Sequence, residues 1–320
     1  MKNFEYIKAK TAASACEAAG RSSRFHGGGI DLLGEMKDYI VSPRRVIDVS
    51  DLDKTISDGG DHWKLGGAVR LVDIERHAGL KQELPGLVQA AEHVGSPQIR
   101  NLATVGGNIA QHSRCWYYRH PDVQCLKAGG SECFARSGIN KFHAIFAEGA
   151  CISPVVSNLG VALSALDATV QVMRKGEVRD MSMEAFYEAA DVNPRAHNSL
   201  RPDELVVSVT VPKIRKHSVY LQVSEKGAFD WALVSCAVAA TVENNALRDV
   251  RLYLGVVSPV PYTNSDATRM LEGVRLSKSG VEQATATLLE GAVTSQHNRY
   301  KVPMAAALAK RAIIALGGQA

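Results

Sequence analysis

No run of eighteen apolar residues occurs in the 320-residue sequence, so no membrane-spanning helix is expected. No apolar stretch follows the opening "MKNFEYIKAK" and no twin arginine lies near the start, so no export signal is expected either. The formal charge is only +4, too little to argue for nucleic acid. No internal repeat or low-complexity tract is visible. No H-E-x-x-H, catalytic triad or paired-carboxylate arrangement stands out, so no acid or base residue is assigned. What is present is an ordinary globular composition, 46% hydrophobic and 22% charged, with length for two or three domains. The expected compartment is the cytoplasm, where thiols stay reduced and clustered cysteines point to metal or catalysis before disulfides.

The first part reads as short α/β units. "RVIDVS" (45–50) and "WKLGGAVR" (63–70) read as strands, the second with glycines at a turn or bulge. "LPGLVQAAEHVG" reads as a helix with Pro85 in its first turn and Gly95 past its end. "LGVALSALDA" reads as helix, "TVQVMR" as strand, "ADVNPRAHNSLRPDE" as loop, and "LVVSVTVP" as a strand ended by Pro212. "KIRKHS" (213–218) is the expected linker. Beyond it, "VSCAVAATVENNALRDVRLYLGVV" reads as a hairpin turning at Asn244 and Asn245. Helices are expected near 266–276, 280–293 and from Pro303 to Gly317.

Two glycine-rich turns stand out. "RFHGGGIDLL" carries Gly27, Gly28, Gly29 and Asp31, and "GSPQIRNLATVGGNIA" carries Thr104, Gly106, Gly107 and Asn108. Glycines let a backbone take positive φ and bring its N–H groups close to a phosphate. Neither stretch has the Rossmann or P-loop pattern, which disfavours those nucleotide folds. Either one alone also fits a plain connecting loop.

Four of the six cysteines, Cys115, Cys125, Cys133 and Cys151, follow the second turn, with 9, 7 and 17 residues between them. No pair is C-x₂-C, so neither a zinc ribbon nor a bacterial ferredoxin run is present. Spacing alone leaves buried small hydrophobes, structural zinc and two disulfides open beside an iron–sulfur site. From Arg114 to His143 there are five Lys/Arg against two acids, a net +3 that suits an anionic thiolate cluster or a solvated basic loop. Cys16 and Cys236 lie in apolar helix-like and strand-like contexts and read as structural.

"GGGIDLLGEMK" followed about seventy residues later by "QIRNLATVGGNIA" resembles the paired FAD-diphosphate loops of the flavin subunit of the molybdenum hydroxylase (xanthine dehydrogenase) family. "LYLGVVSPVP" and "YKVPMAAALAKRAI" resemble that family's C-terminal flavoprotein domain, so the likeness covers essentially the whole chain. The resemblance implies an α+β chain: a vanillyl-alcohol-oxidase (PCMH)-type FAD-binding fold of two subdomains over 1–216, then a C-terminal α/β domain of the CO dehydrogenase flavoprotein type over 217–320. It implies FAD contacts at Gly27, Gly28, Gly29, Ile30, Asp31, Thr104, Gly106, Gly107 and Asn108. "VVSNLG" adds Ser157 and Asn158, and "EKGAFDWALVS" adds Lys226 and Asp230. Ile30 stands where the family usually has Thr, and Asn158 where it has Asp.

Most such subunits pass from "GGN" to "SD" in a few residues, whereas some forty intervene here. Segment 112–151 resembles the insertion of a family branch, including the 4-hydroxybenzoyl-CoA reductase β subunit, whose four cysteines bind a [4Fe–4S] cluster. By that resemblance Cys115, Cys125, Cys133 and Cys151 are the ligands. It further implies a large molybdenum-cofactor subunit and a small [2Fe–2S] subunit as partners, in a dimer of heterotrimers. It also implies an external electron carrier and an aromatic acyl-CoA, aldehyde or N-heterocycle as the complex's substrate. The competing readings are a stand-alone FAD oxidase of the same fold and a zinc-stabilised basic binding module.

Overall fold

The computed structural model describes residues 1–215, 217–275 and 278–319. Lys216 of the expected linker and Leu276, the expected end of a helix, lie outside the described residues. Three sheets follow one another along the chain. The first is parallel and contains β1 (Glu5–Lys8), β2 (Ser23–His26) and β3 (Arg45–Asp48) in the order β1-β3-β2. Helix Ala12–Ala18 connects β1 to β2 and turns Ala15 and Cys16 onto Ile47 and Leu205. Cys16 is thus a core residue, as its context indicates.

The second sheet is antiparallel: β4 (Ile56–Asp58), β5 (His62–Gly66), β6 (Thr169–Arg174), β7 (Glu177–Ser182) and β8 (Leu205–Pro212), in the order β4-β5-β8-β6-β7. Helices Pro85–Glu92, Asn158–Ala165 and Met183–Val192 share its core. The third sheet, also antiparallel, holds β9 (His217–Val223), β10 (Val234–Glu243) and β11 (Ala246–Gly255) in the order β11-β10-β9. Asn244 and Asn245 take φ of 50° and 62°, the left-handed pair that a two-residue hairpin of right-handed twist requires.

β10 shows why this stretch is so apolar. Val234, Cys236, Val238 and Ala240 face a core shared with helices Ser265–Leu271, Lys278–Leu288 and Lys301–Leu316. Ala237 and Ala239, on the opposite pleat, join the core of the second sheet's domain. The strand is buried on both faces, and alanines let helices Pro85–Glu92 and Asn158–Ala165 approach.

Several elements depart from the sequence reading. β9 begins at His217, inside the expected linker, because the cationic "KIRK" before it masks the alternating "HSVYLQV". Helix Met183–Val192 extends into the segment read as loop; Ser182 caps it, accepting from the Ala185 N–H at 3.1 Å. The helix expected over 266–276 spans Ser265–Leu271, with Gly273 at φ 73° beyond it. Segment 112–151 has little regular structure, a 3₁₀ turn at Leu126–Ala128 and a short helix at Phe134–Ser137.

The C-terminal domain grips this irregular segment. Asn298, fully buried, donates to the Ala144 carbonyl at 3.1 Å, and Tyr300 donates its hydroxyl proton to the Lys141 carbonyl at 2.9 Å. The Lys301 ammonium donates to the carbonyls of Phe142 (3.1 Å) and Val256 (2.5 Å). Val256 itself sits at φ 65°, a strained conformation for a β-branched residue. Burial pulls Lys301 down to about 7. An unfolded lysine titrates near about 10.4, so between these values the unfolded chain binds the extra proton and stability rises with pH. Urea unfolding at pH 7 and pH 9 should show wild type gaining on the order of 2 kcal/mol relative to Lys301→Met. Equal pH dependence in both proteins would refute this account of Lys301.

Candidate functional site

A cleft of about 750 Å³ runs between the first two sheets and reaches the C-terminal domain. That volume lies in the range of small-molecule and cofactor pockets, about 300–1,000 Å³. Both glycine turns line it. A Cβ on Gly28 would sit 1.9 Å from the Leu102 carbonyl oxygen, and Gly29 has φ 74°. Only glycine permits this loop to lie against the second one in this conformation.

The two turns offer different chemistry. The backbone N–H groups of Gly28, Gly29, Ile30 and Asp31 donate to no protein acceptor among the described residues. Such a run of free amides is a cradle for an anion. In the second turn the amides are already used. Val105 donates to Val69 O, Gly106 to Gly67 O, both at 2.9 Å, and Gly107 to the Thr104 hydroxyl at 3.1 Å. Thr104 therefore caps helix Val105–Ile109. The second turn supplies shape, together with the Asn108 amide nitrogen, which has no protein acceptor among the described residues.

Of the residues singled out in the sequence, Gly27 to Asp31, Thr104, Gly106, Gly107, Asn108, Asn158 and Asp230 line the cleft. Ser157 does not; its hydroxyl donates to Asn108 Oδ1 at 2.7 Å and caps helix Asn158–Ala165 through the Gly160 N–H. It acts on the cleft by fixing Asn108. Lys226 also lies outside the lining, and its backbone N–H donates to the Asp230 carboxylate at 3.1 Å. Asn158 donates to the Gln222 side chain on β9 at 3.1 Å, which ties the cleft floor to the third sheet.

The carboxylate of Asp31 turns away from the role its backbone can play. It accepts from Arg119 at 2.6 Å, from the His112 N–H at 2.7 Å, and pairs with Arg114 at 3.0 Å. Burial alone would raise its pKa, but the guanidiniums of Arg114 and Arg119 outweigh burial and hold it below the usual range. Glu35, 1% exposed, accepts from the Tyr118 hydroxyl at 2.9 Å and lies 3.0 Å from His112 Nδ1. Burial keeps Tyr118 protonated and His197, stacked on His112, neutral. Asp31, Glu35 and His112 gather within 4.8 Å, but the two guanidiniums already balance their charge. Sequence inspection missed this network, whose partners lie about eighty positions apart; the surplus of arginines after Gln111 was its only trace.

Arg114 sits at the junction. It lines the cleft, stacks 5.3 Å from the Trp231 ring, and precedes Cys115 in the chain. Behind it, Cys115, Cys125, Cys133 and Cys151 all line one small cavity together with His143 and Lys127. Burial pushes the Cys115 thiol up to about 11, and His143 Nε2 lies 3.1 Å from its sulfur. Hydrogen bonding with Cys151 lowers Cys133, and the same interaction together with burial raises Cys151. Lys127, 8% exposed, brings a positive charge to the same cavity.

With this geometry established, relatives can be compared. Residues 2–214 match the family model for the FAD binding domain in molybdopterin dehydrogenase, and residues 219–316 match the CO dehydrogenase flavoprotein C-terminal domain. The chain is 31% identical to the aldehyde oxidoreductase FAD-binding subunit PaoB of Escherichia coli K12, over 95% of each chain. It is 23% identical to the carbon monoxide dehydrogenase medium chain of Hydrogenophaga pseudoflava, over 97% of this chain and 96% of the relative. The fold matches the reconstituted CO dehydrogenase from Oligotropha carboxidovorans with a TM-score of 0.79 at 19% identity, covering 100% of this chain and 99% of the other. Cleft, sheets and both matched domains thus agree on an α+β flavoprotein, and the chain belongs to the FAD-binding medium subunits of the molybdenum hydroxylase family.

Proposed function

We propose that this chain is the electron-transfer subunit of a heteromeric molybdenum-containing oxidoreductase, holding FAD in the cleft and a [4Fe–4S] cluster on Cys115, Cys125, Cys133 and Cys151. The observation that carries the reading is the convergence of these four side chains on one cavity, one residue along the chain from a cleft-lining arginine. When bound, FAD exchanges electrons in pairs or singly and an iron–sulfur cluster exchanges them one at a time, so one chain with both can split or gather electrons.

The donor sets fit these groups. The free amides of Gly28 to Asp31 suit a diphosphate, with Gly27, Thr104, Gly106, Gly107 and Asn108 shaping the facing walls. Ile30 and Asp31 contribute backbone here, Asp31 having committed its carboxylate to Arg114 and Arg119. Ser157 holds Asn108, Asn158 forms the floor, and Lys226 with Asp230 belongs to the flavin end. Lys127 favours the thiolate of Cys151, and His143 Nε2 lies within hydrogen-bond reach of the Cys115 sulfur.

Substrate conversion is assigned to the partners, and no catalytic triad, H-E-x-x-H or paired-carboxylate arrangement stands out in this sequence. The partners are a large molybdenum-cofactor subunit and a small [2Fe–2S] subunit in a dimer of heterotrimers, with an external carrier at the other end. Of the candidate substrates for the complex, an aldehyde is favoured by the name of the 31% identical relative. The cytoplasm remains the proposed compartment; among the described residues no helix is long and apolar enough to cross a membrane.

Anaerobically purified protein should show flavin absorption and about four irons per chain. A colourless protein carrying zinc would sink the reading. Cys125→Ser should abolish the iron–sulfur signal in absorption and EPR spectra while FAD stays bound; parallel loss of both would mean the segment is part of the flavin fold. Gly28→Ala drives a methyl group into the Leu102 carbonyl, so FAD affinity of the flavin-free chain should fall at least about tenfold, or about 1.4 kcal/mol. Wild-type affinity in a fluorescence titration would remove Gly28 from the cradle.

A further inference from the structure

A second chamber of about 570 Å³ opens beside the cofactor cleft. Its walls come from β2, the turn at Tyr39–Val41, the cysteine segment and the loop after helix Met183–Val192. Arg24, Lys127, Arg195 and Arg201 line it, with His120. Among the described residues Glu204 is its one carboxylate, 3% exposed and already held by Arg179 at 3.1 Å.

The four cations have no carboxylate partner among the described residues. Arg24 donates to Ser23 O at 2.9 Å, Arg195 to Gly129 O at 3.3 Å and Lys127 to Ala196 O at 2.6 Å. Among the described residues the Arg201 guanidinium has no protein acceptor; its backbone N–H donates to Glu204. Elsewhere this chain pairs its arginines readily: Arg45, Arg70, Arg100, Arg174, Arg215 and Arg251 all meet carboxylates within 3.2 Å. Cations gathered around one chamber without a neighbouring carboxylate raise the local potential, which a bound anion lowers.

The geometry points to a binding site for a phosphate-bearing small molecule in this chamber, adjoining the dinucleotide cleft and distinguished from it by Lys127, Arg195 and Arg201. Guanidiniums match phosphate oxygens two at a time, and three of them line this chamber, Arg24 from β2 and Arg195 and Arg201 from the loop after helix Met183–Val192. Phe25 and Tyr39 give the chamber an apolar side for the body of the ligand. Arg24, Phe25, Ala110, His112, Leu200 and Glu204 line both cavities, which therefore adjoin, whereas Lys127, Arg195 and Arg201 line only the second. A ligand held there lies between the cleft and the cysteine cavity, which Lys127 also lines.

The test titrates the FAD-saturated full-length chain with inorganic pyrophosphate by isothermal calorimetry, comparing wild type with the double variant Arg195→Gln/Arg201→Gln. Both arginines are exposed and outside the dinucleotide cleft, so flavin absorption and metal content should be unchanged. Saturable binding to wild type, weakened at least tenfold in the double variant, is the expected result. No binding to the FAD-saturated chain, binding only when FAD is removed, or equal affinity in the variant would each overturn the proposal.

Discussion

A half-buried carboxylate organises this molecule around itself. Asp31 follows the first glycine turn, and folding draws it partly out of water only because Arg114, Arg119 and the His112 N–H converge on it. Losing either guanidinium would leave charge uncompensated in a poorly solvated place, a cost of several kcal/mol in general. Those arginines flank the first cysteine of the irregular segment. The segment therefore docks on the glycine turn through charge rather than through regular secondary structure, of which it has little. Its far side is fastened by Asn298, Tyr300 and Lys301 of the C-terminal domain. The segment spans two domains and borrows its order from both.

The same constraint divides labour within the cleft. With its carboxylate engaged, Asp31 faces the cleft through its backbone, and the neighbouring amides form a run of unused donors. The second turn spends its amides on Gly67 and Val69, just past β5, and on its own cap, and Ser157 spends its hydroxyl on Asn108. One loop thus offers donors and the other rigidity. Preorganised donors need no reorientation when charge arrives, which is how a protein binds a polyanion without a lysine-rich loop.

Much of this was legible in the sequence. The glycine turns, the asparagine hairpin and the alternating strands each carry a local signature, because glycine and asparagine tolerate conformations other residues resist. The cysteine spacing carried none; nothing in gaps of 9, 7 and 17 residues predicts that four side chains meet. β9 was hidden by the cationic stretch before it. The roles of Ser157 and of Asp31 were hidden for another reason. Each depends on a partner 49 or more positions away, and side-chain pairing at that range has no local pattern.

β10 carries a consequence for how the chain holds together. Two family models meet between residues 214 and 219, which suggests separable modules. Yet this strand gives one pleat to each side of that seam, with Ala237 and Ala239 embedded in the preceding domain's interior. A strand shared in this way leaves no water-filled joint about which the halves can swing. The seam between the matched ranges is thus not a seam in the core, because one strand packs into both sides of it.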